Sequence, residues 1–361
     1  MQLKYHMVTI EDLVPENHFL RKVEAALNLS FVYEETAHLY SRRYGQPPID
    51  PVVMVKYLLV GFLYGIPSER QIEVRCADSN AFRWYLGIDL DERVPDHSTI
   101  SPLRRRKPAF RKIFRRLFVE VVGQCVKKGL VSGRLAVTDS THVKANASRA
   151  SEYEVDVEEE AGNYWERLEY VHKNVVPIQA AAADSAYDFP LAYRVLEELG
   201  IDFFVVPQPA HDRTKAELKR DAFTYDGKQD VYHCPNGKQL RPKRLYRSGS
   251  GLFWEYWADK KDCGSCPLRA KCLNETDKAG ARKLQDSYFK PLIQRHFSKR
   301  WEPEYREALK QRQVWCEGTF AAQKWGHNLT RVLRRGLEAA EDHCLLSATA
   351  LNLKRMTKHM R

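Results

Sequence analysis

The chain has 361 residues, 43% hydrophobic and 29% charged, with a formal net charge of +11. That composition belongs to a globular protein with a sizeable core and excludes a disordered or fibrous chain. No apolar run approaches the roughly 18 residues of a membrane span, and the basic surplus calls for a polyanion partner.

From the N-terminus, residues 8–45 carry helical patterns. The breaker Pro47-Pro48-Ile49-Asp50-Pro51 then starts a helix, with Asp50 as cap and Pro51 in the first turn. The following VVMVKYLLVGFLYG is apolar nearly all round and reads as a buried core helix. Ser68 with Gln71 forms a capping box for a helix over 69–78. Asp96-His97-Ser98-Thr99 opens the next helical stretch, in which Phe110, Ile113, Phe114, Leu117, Phe118, Val121 and Val122 recur at threes and fours. Between 101 and 130, ten Lys/Arg face one acid, Glu120, so residues 1–130 are expected to be an all-helical DNA-binding domain with one basic face. Arg104, Arg105, Arg106 and Lys107 are its expected phosphate contacts.

The texture changes after Gly133. Arg134–Thr138 is a strand candidate that runs into Asp139. EYEVDVEEE at 152–160 reads as an acidic linker or an edge strand, and a helix is expected over 161–173. IQAAAADSAYD repeats the opening device, an apolar run stopped by Asp184. Leu191–Leu199 is a helix closed by Gly200, and Ile201–Val206 is a buried strand. Strand, helix, strand implies a mixed α/β core over 131–206. Residues 207–295 are polar, Gly- and Pro-punctuated, and form an insertion. From 302 helical patterning returns, and 296–361 is expected to complete the core.

A lone Asp after a strand is most often a cap. Two strand ends bearing carboxylates, with Glu317 on a later helix, suggest more. Lys324 stands seven residues beyond Glu317 on the same helical face, and Asn328 and Arg331 continue it, with Arg334 and Arg335 close behind. Mg²⁺ takes one or two hard carboxylates plus phosphate oxygens. Two such ions about 4 Å apart clamp the attacking and leaving oxygens of a displacement at phosphorus.

These strings resemble bacterial insertion-sequence transposases of the DDE type. DLVPENHFLRKVE, YGQPPIDPVVMVKYLLVGFLYGIPSER and FRWYLGIDLDERVPDHSTIS resemble the family's N-terminal helical domain. VTDSTHVKANAS, AADSAYD and EGTFAAQKWGHNLTRVLRRGLEAAEDHCLLSATALNLKRM resemble its three catalytic segments. The resemblance implies a ribonuclease-H-like core, with Asp139, Asp184 and Glu317 binding Mg²⁺ or Mn²⁺ and Lys324 touching DNA. It also implies double-stranded DNA partners (element ends and target) and a homodimer when two ends are synapsed; MQLKYHMVTIEDLVPENHF lacks an apolar h-region, so a cytoplasmic, nucleoid-associated location is expected. Two departures stand out. Gln313 lies four residues before Glu317 where the family often has Arg, with Arg312 one step off and Lys310 in place of an aromatic. The 44 residues between the aspartates also hold no clear hairpin, although EYEVDVEEE and VVPIQ could supply part of one. The alternatives are a degenerate relic that only binds DNA, and a plain nuclease that never joins strands.

Cys234, Cys263, Cys266 and Cys272 fall together in the insertion, with Cys-x₂-Cys and glycine turns of zinc-ligand spacing. A structural Zn²⁺, reduced thiols and an iron–sulfur cluster are the three readings. Cys76, Cys125, Cys316 and Cys344, and also Trp325, are expected in the core, while Trp325, His327 and Asn328 could alternatively hold a flipped base.

Overall fold

The computed structural model describes residues 7–39, 49–106, 109–144, 166, 168–207, 216–248, 251–273 and 280–360. The chain divides into two units, Met1–Ser132 with Ser140–Tyr153 and Glu317–Arg361, and Gly133–Asp139 with Glu154–Cys316. Among the described residues no helix is long and apolar enough to cross a membrane.

The first unit is helical: α1 (Phe19–Ala26), α2 (Ser30–Thr36), α3 (Pro51–Leu63), α4 (Glu69–Asp78), α5 (Asn80–Leu86), α6 (His97–Arg106) and α7 (Ala109–Lys127). Its starts follow from short polar side chains. Asp50 accepts from Val52 N at 2.7 Å, Ser68 from Gln71 N at 3.3 Å, and Asp96 from Ser98 N at 2.6 Å. The helix α3 is apolar all round because it is the axis of the core, with Met54, Val55, Tyr57, Leu58, Leu59 and Val60 all buried. The last helix of the chain returns to this unit and packs on α7, α3 and α1, adding Leu346, Ala350, Leu353 and Met356 to the same core.

Four cations of the basic stretch 101–130 are engaged within the protein, while Lys112, Lys127 and Lys128 are exposed. Arg104 is only 8% exposed, 3.3 Å from Glu69 of α4, with its guanidinium 5.5 Å from the Phe114 ring. Burial pushes its pKa down to about 10, which still leaves it charged at neutral pH. Arg111 pairs with Glu338 at 2.7 Å and Glu341 at 3.2 Å, Arg115 pairs with Glu341, and Arg116 pairs with Glu35 at 3.3 Å. The acids come from distant segments, so a local count of charge does not register them.

The second unit holds two sheets. The smaller has β1 (Leu135–Val137), β2 (Ala180–Ala183) and β3 (Asp202–Val205), side by side in that order and all parallel. The crossover from β2 to β3 is α8 (Pro190–Glu198). Both faces are covered, as parallel sheets require. On one face Ala181, Ala183, Phe203 and Val205 meet Ala192, Tyr193 and Leu196 of α8, together with Leu292. On the other, Leu135, Val137, Ala180, Ala182 and Phe204 meet Tyr305, Ala308 and Leu309. Among the described residues no strand lies between β1 and β2. VVPIQ is not a strand but the lead-in to β2, with Gln179 N donating to Gly133 O at 2.9 Å. EYEVDVEEE lies outside the described residues.

The larger sheet is antiparallel and occupies the segment read as an insertion, in the order β4 (Thr224–Asp226), β5 (Val231–His233), β6 (Gln239–Ser248), β7 (Gly251–Ala258) and β8 (Lys283–Ser287). Short helices α9 (Lys260–Gly264) and α10 (Arg269–Cys272) join β7 to β8. Phe223, Tyr232, Leu240, Tyr256, Ala258 and Leu284 form its core. Three helices complete the chain: α11 (Lys290–Ser298), α12 (Pro303–Gly326) and α13 (Leu337–Thr357).

Candidate active site and cysteine cluster

The strands β1 and β2 pair Leu135 with Ala180 and Val137 with Ala182, and Thr138 N donates to Ala182 O at 2.9 Å. Asp139 and Asp184 each follow the last matched pair by two positions. They therefore leave neighbouring strands, about 4.8 Å apart, at the same level of the sheet's carboxyl edge. Alternation assigns both to the face of Val137 and Ala182, the face that α12 covers. Asp184 Oδ1 accepts from Ala186 N at 3.0 Å, so it also caps the turn after β2. The contact residues of α12 run Tyr305, Ala308, Leu309, Arg312, and Arg312 Nη1 lies 2.9 Å from Asp139 Oδ2. Both side chains are sheltered, at 15% and 21% exposure. Arg312 Nη1 and Nε make no aligned hydrogen bond, so this is charge pairing. The sequence offered Arg312 only as a displaced DNA contact; its place beside Asp139 shows in the three- and four-residue spacing from Tyr305. Glu317 follows the buried Cys316 on α12, is exposed, and opens the last segment of the helical unit.

The expected DNA contacts separate into two groups. Arg331 and Arg335 are exposed, and Lys324 is partly so. Arg334 is tied to Asp342 at 3.2 Å. Asn328 adopts positive φ and donates to Gly61 O at 3.1 Å and Ile66 O at 2.8 Å, while His327 is buried with Nδ1 2.8 Å from Phe62 O. Both fasten the end of α12 to the backbone at the end of α3. Trp325, expected in the core, is 90% exposed, and Cys344 is also exposed. Arg104 belongs to the ion pairs described above. Lys107 and the side chains of Arg105 and Arg106 lie outside the described residues.

Residues 8–106 match a family described as Transposase domain (DUF772), and residues 233–357 match one described as Transposase DDE domain. The chain belongs to the DDE transposases. No curated protein and no solved structure matches it. The second match takes in Glu317 and all four clustered cysteines of the transposase; Asp139 and Asp184 precede it.

In the transposase those cysteines converge. Cys234 sits in a tight turn, with Gly237 N donating to its carbonyl at 2.8 Å and Lys238 N to its sulfur at 3.4 Å. Cys263 and Cys266 flank the end of α9, and Cys272 ends α10. All four line one cavity of about 30 Å³ with Leu240 and Ala258, and Lys238, Arg269 and Arg282 stand at its wall. Among the described residues the one trio of His, Cys, Asp or Glu ligand atoms within 4.8 Å of one another is Glu73, Asp96 and His97. The four sulfurs are thus more widely spread than bound thiolates would be. Glu73 and Asp96 are accounted for by the start of α6: Glu73 accepts from His97 N at 3.0 Å and Asp96 from Ser98 N.

Proposed function

We propose that this transposase hydrolyses a phosphodiester at the ends of its element and uses the freed 3′-hydroxyl to attack target DNA, with Asp139, Asp184 and Glu317 holding divalent metal, Mg²⁺ or Mn²⁺. The observation that carries this reading is the register of β1 and β2, which brings two aspartates to one sheet edge under α12. The donor set fits: carboxylates are hard oxygen ligands, and Asp139 Oδ2 already attracts a cationic group. Bound there, such ions would stabilise charge on the attacking and leaving oxygens of the displacement. The chain's own part is positional. Parallel strands covered on both faces hold the aspartates rigidly, so little ordering remains for the reaction. Arg312 orients Asp139. Lys324, Arg331 and Arg335 would meet phosphates, a role their exposure supports.

In this reading residues 1–130 are the DNA-binding domain, 131–206 with 296–361 the catalytic core and 207–295 an insertion, and two copies act together on synapsed ends. The test uses DNA carrying the sequences that border the gene. Asp139→Asn and Asp184→Asn should each lower Mg²⁺- or Mn²⁺-dependent cleavage by about a hundredfold or more while DNA binding persists. Undiminished cleavage by either variant would overturn the assignment. Cleavage without joining in the wild type would identify a nuclease.

The four cysteines fit a structural Zn²⁺. They are soft ligands on one cavity, each sulfur can be re-aimed by a single χ1 step, and Lys238, Arg269 and Arg282 offset the negative charge of four thiolates.

A further inference from the structure

The five-stranded sheet has a second face that the metal chemistry does not use. Tyr232, Leu240, Tyr256 and Leu284 point to the core. The alternate residues face away, and pairing sets Arg241 and Lys283 opposite Trp257, Arg244 opposite Glu255, and Tyr246 opposite Phe253. The register of β6 slips between Pro242 and Arg244, which makes Lys243 the extra residue of a bulge. The bulge turns Lys243 to the same side, with Nζ 4.4 Å from the Trp257 ring centroid. Lys283 Nζ lies 3.9 Å from the same ring, and the Arg244 guanidinium 5.9 Å from the Tyr246 ring. Across β6, β7 and β8 this face carries Arg241, Lys243, Arg244 and Lys283, all exposed, against one carboxylate, Glu255. None of the four makes an ion pair among the described residues, in contrast to Arg104, Arg111, Arg115 and Arg116.

We propose that this face grips the phosphate backbone of duplex DNA, an inference that rests on the transposase reading. An aromatic seat steadies a cation without neutralising it. The charge stays available to a phosphate, and part of the side chain's freedom is already lost before DNA arrives. A carboxylate partner would have cancelled the charge instead. The patch spans two strand spacings, roughly 10 Å, against one charge per ~3.4 Å of each DNA strand. Its rings are occupied: Trp257 carries two ammonium groups, and Tyr246 and Phe253 stack on each other with centroids 6.0 Å apart. They are not open to stack bases, which favours backbone contact over single-strand binding.

The test is the double variant Lys243→Gln/Lys283→Gln of the full chain, titrated with a short duplex of arbitrary sequence over a range of salt. The slope of log K against log salt should become shallower by about 2, since each lost phosphate contact removes ~0.9, and binding should weaken evenly for unrelated sequences. Trp257→Leu, which keeps both charges and removes their seat, should weaken binding while largely keeping the slope. Wild-type affinity and slope in the double variant, with an unchanged melting temperature, would overturn the inference. A wild-type chain that bound no DNA would overturn the transposase reading as well.

Discussion

Asp139 and Asp286 are both sheltered carboxylates matched to cations, yet they serve different ends. Asp286 is nearly buried and meets Lys290 at 3.2 Å together with Arg220 and the Tyr232 hydroxyl. Burial alone would raise its pKa; Lys290 and Arg220 outweigh that and hold it below the usual carboxylate range. A depressed folded pKa contributes stability above the unfolded value, near ~4, and loses it as pH falls through the folded one. Wild type and Asp286→Asn should therefore differ in melting temperature at pH 7, by about 3 kcal/mol of stability, and converge as pH drops below ~4. A constant gap down to pH 2–3 would refute the ion-pair account. Asp139→Asn, by contrast, removes the anion beside the sheltered Arg312 guanidinium and should cost between the about 1 kcal/mol of an exposed pair and the about 3 kcal/mol of a buried one, set against a far larger loss of cleavage.

At the scale of elements, Gly133 is the tightest point. It has φ +69°, and a Cβ there would sit 2.2 Å from Pro177 O, where the lead-in to β2 crosses the start of β1. Gly133→Ala should destabilise the small sheet by about 2 kcal/mol or more, read as a lower melting temperature; an unchanged one would mean that the β1–β2 entrance is looser than described. The cysteine-bearing helices α9 and α10 are too short to be stable alone. Zinc removal by a chelator should lower the stability of the insertion, and Co²⁺ loading should give thiolate charge-transfer bands that Cys263→Ser/Cys266→Ser lacks. A protein purified without zinc that takes up no Co²⁺ would dismiss the site. Elements announced by chemistry at one end were legible: Asp50-Pro51, Ser68 and Asp96 mark helix starts, and the runs ending at Asp139 and Asp184 mark strands. β7 was not, because GLFWEYWA is apolar on both faces and its alternation is hidden. A bulge interrupts the period of β6 as well.

At the scale of the whole chain, the sequence's net charge correctly pointed to a nucleic-acid partner for a member of the transposases. It did not show which of those cations are paired, because the acids that answer Arg104, Arg111, Arg115 and Arg116 lie far off in sequence. It likewise could not show that the closing helix joins the N-terminal core, since Leu346, Ala350 and Leu353 name an apolar stripe but not its partner. The adjacent aspartates were legible; the spacing from Tyr305 puts Arg312 on the buried face of its helix, but nothing local names Asp139, 173 positions earlier, as its partner. Asp139, Asp184 and Glu317 are proposed to share divalent metal. Mn²⁺ titration followed by electron paramagnetic resonance tests this most directly. The wild-type chain should bind Mn²⁺, and Asp139→Asn, Asp184→Asn and Glu317→Gln should each weaken that binding by at least about tenfold. Equal Mn²⁺ binding by the wild type and all three variants would contradict the proposal.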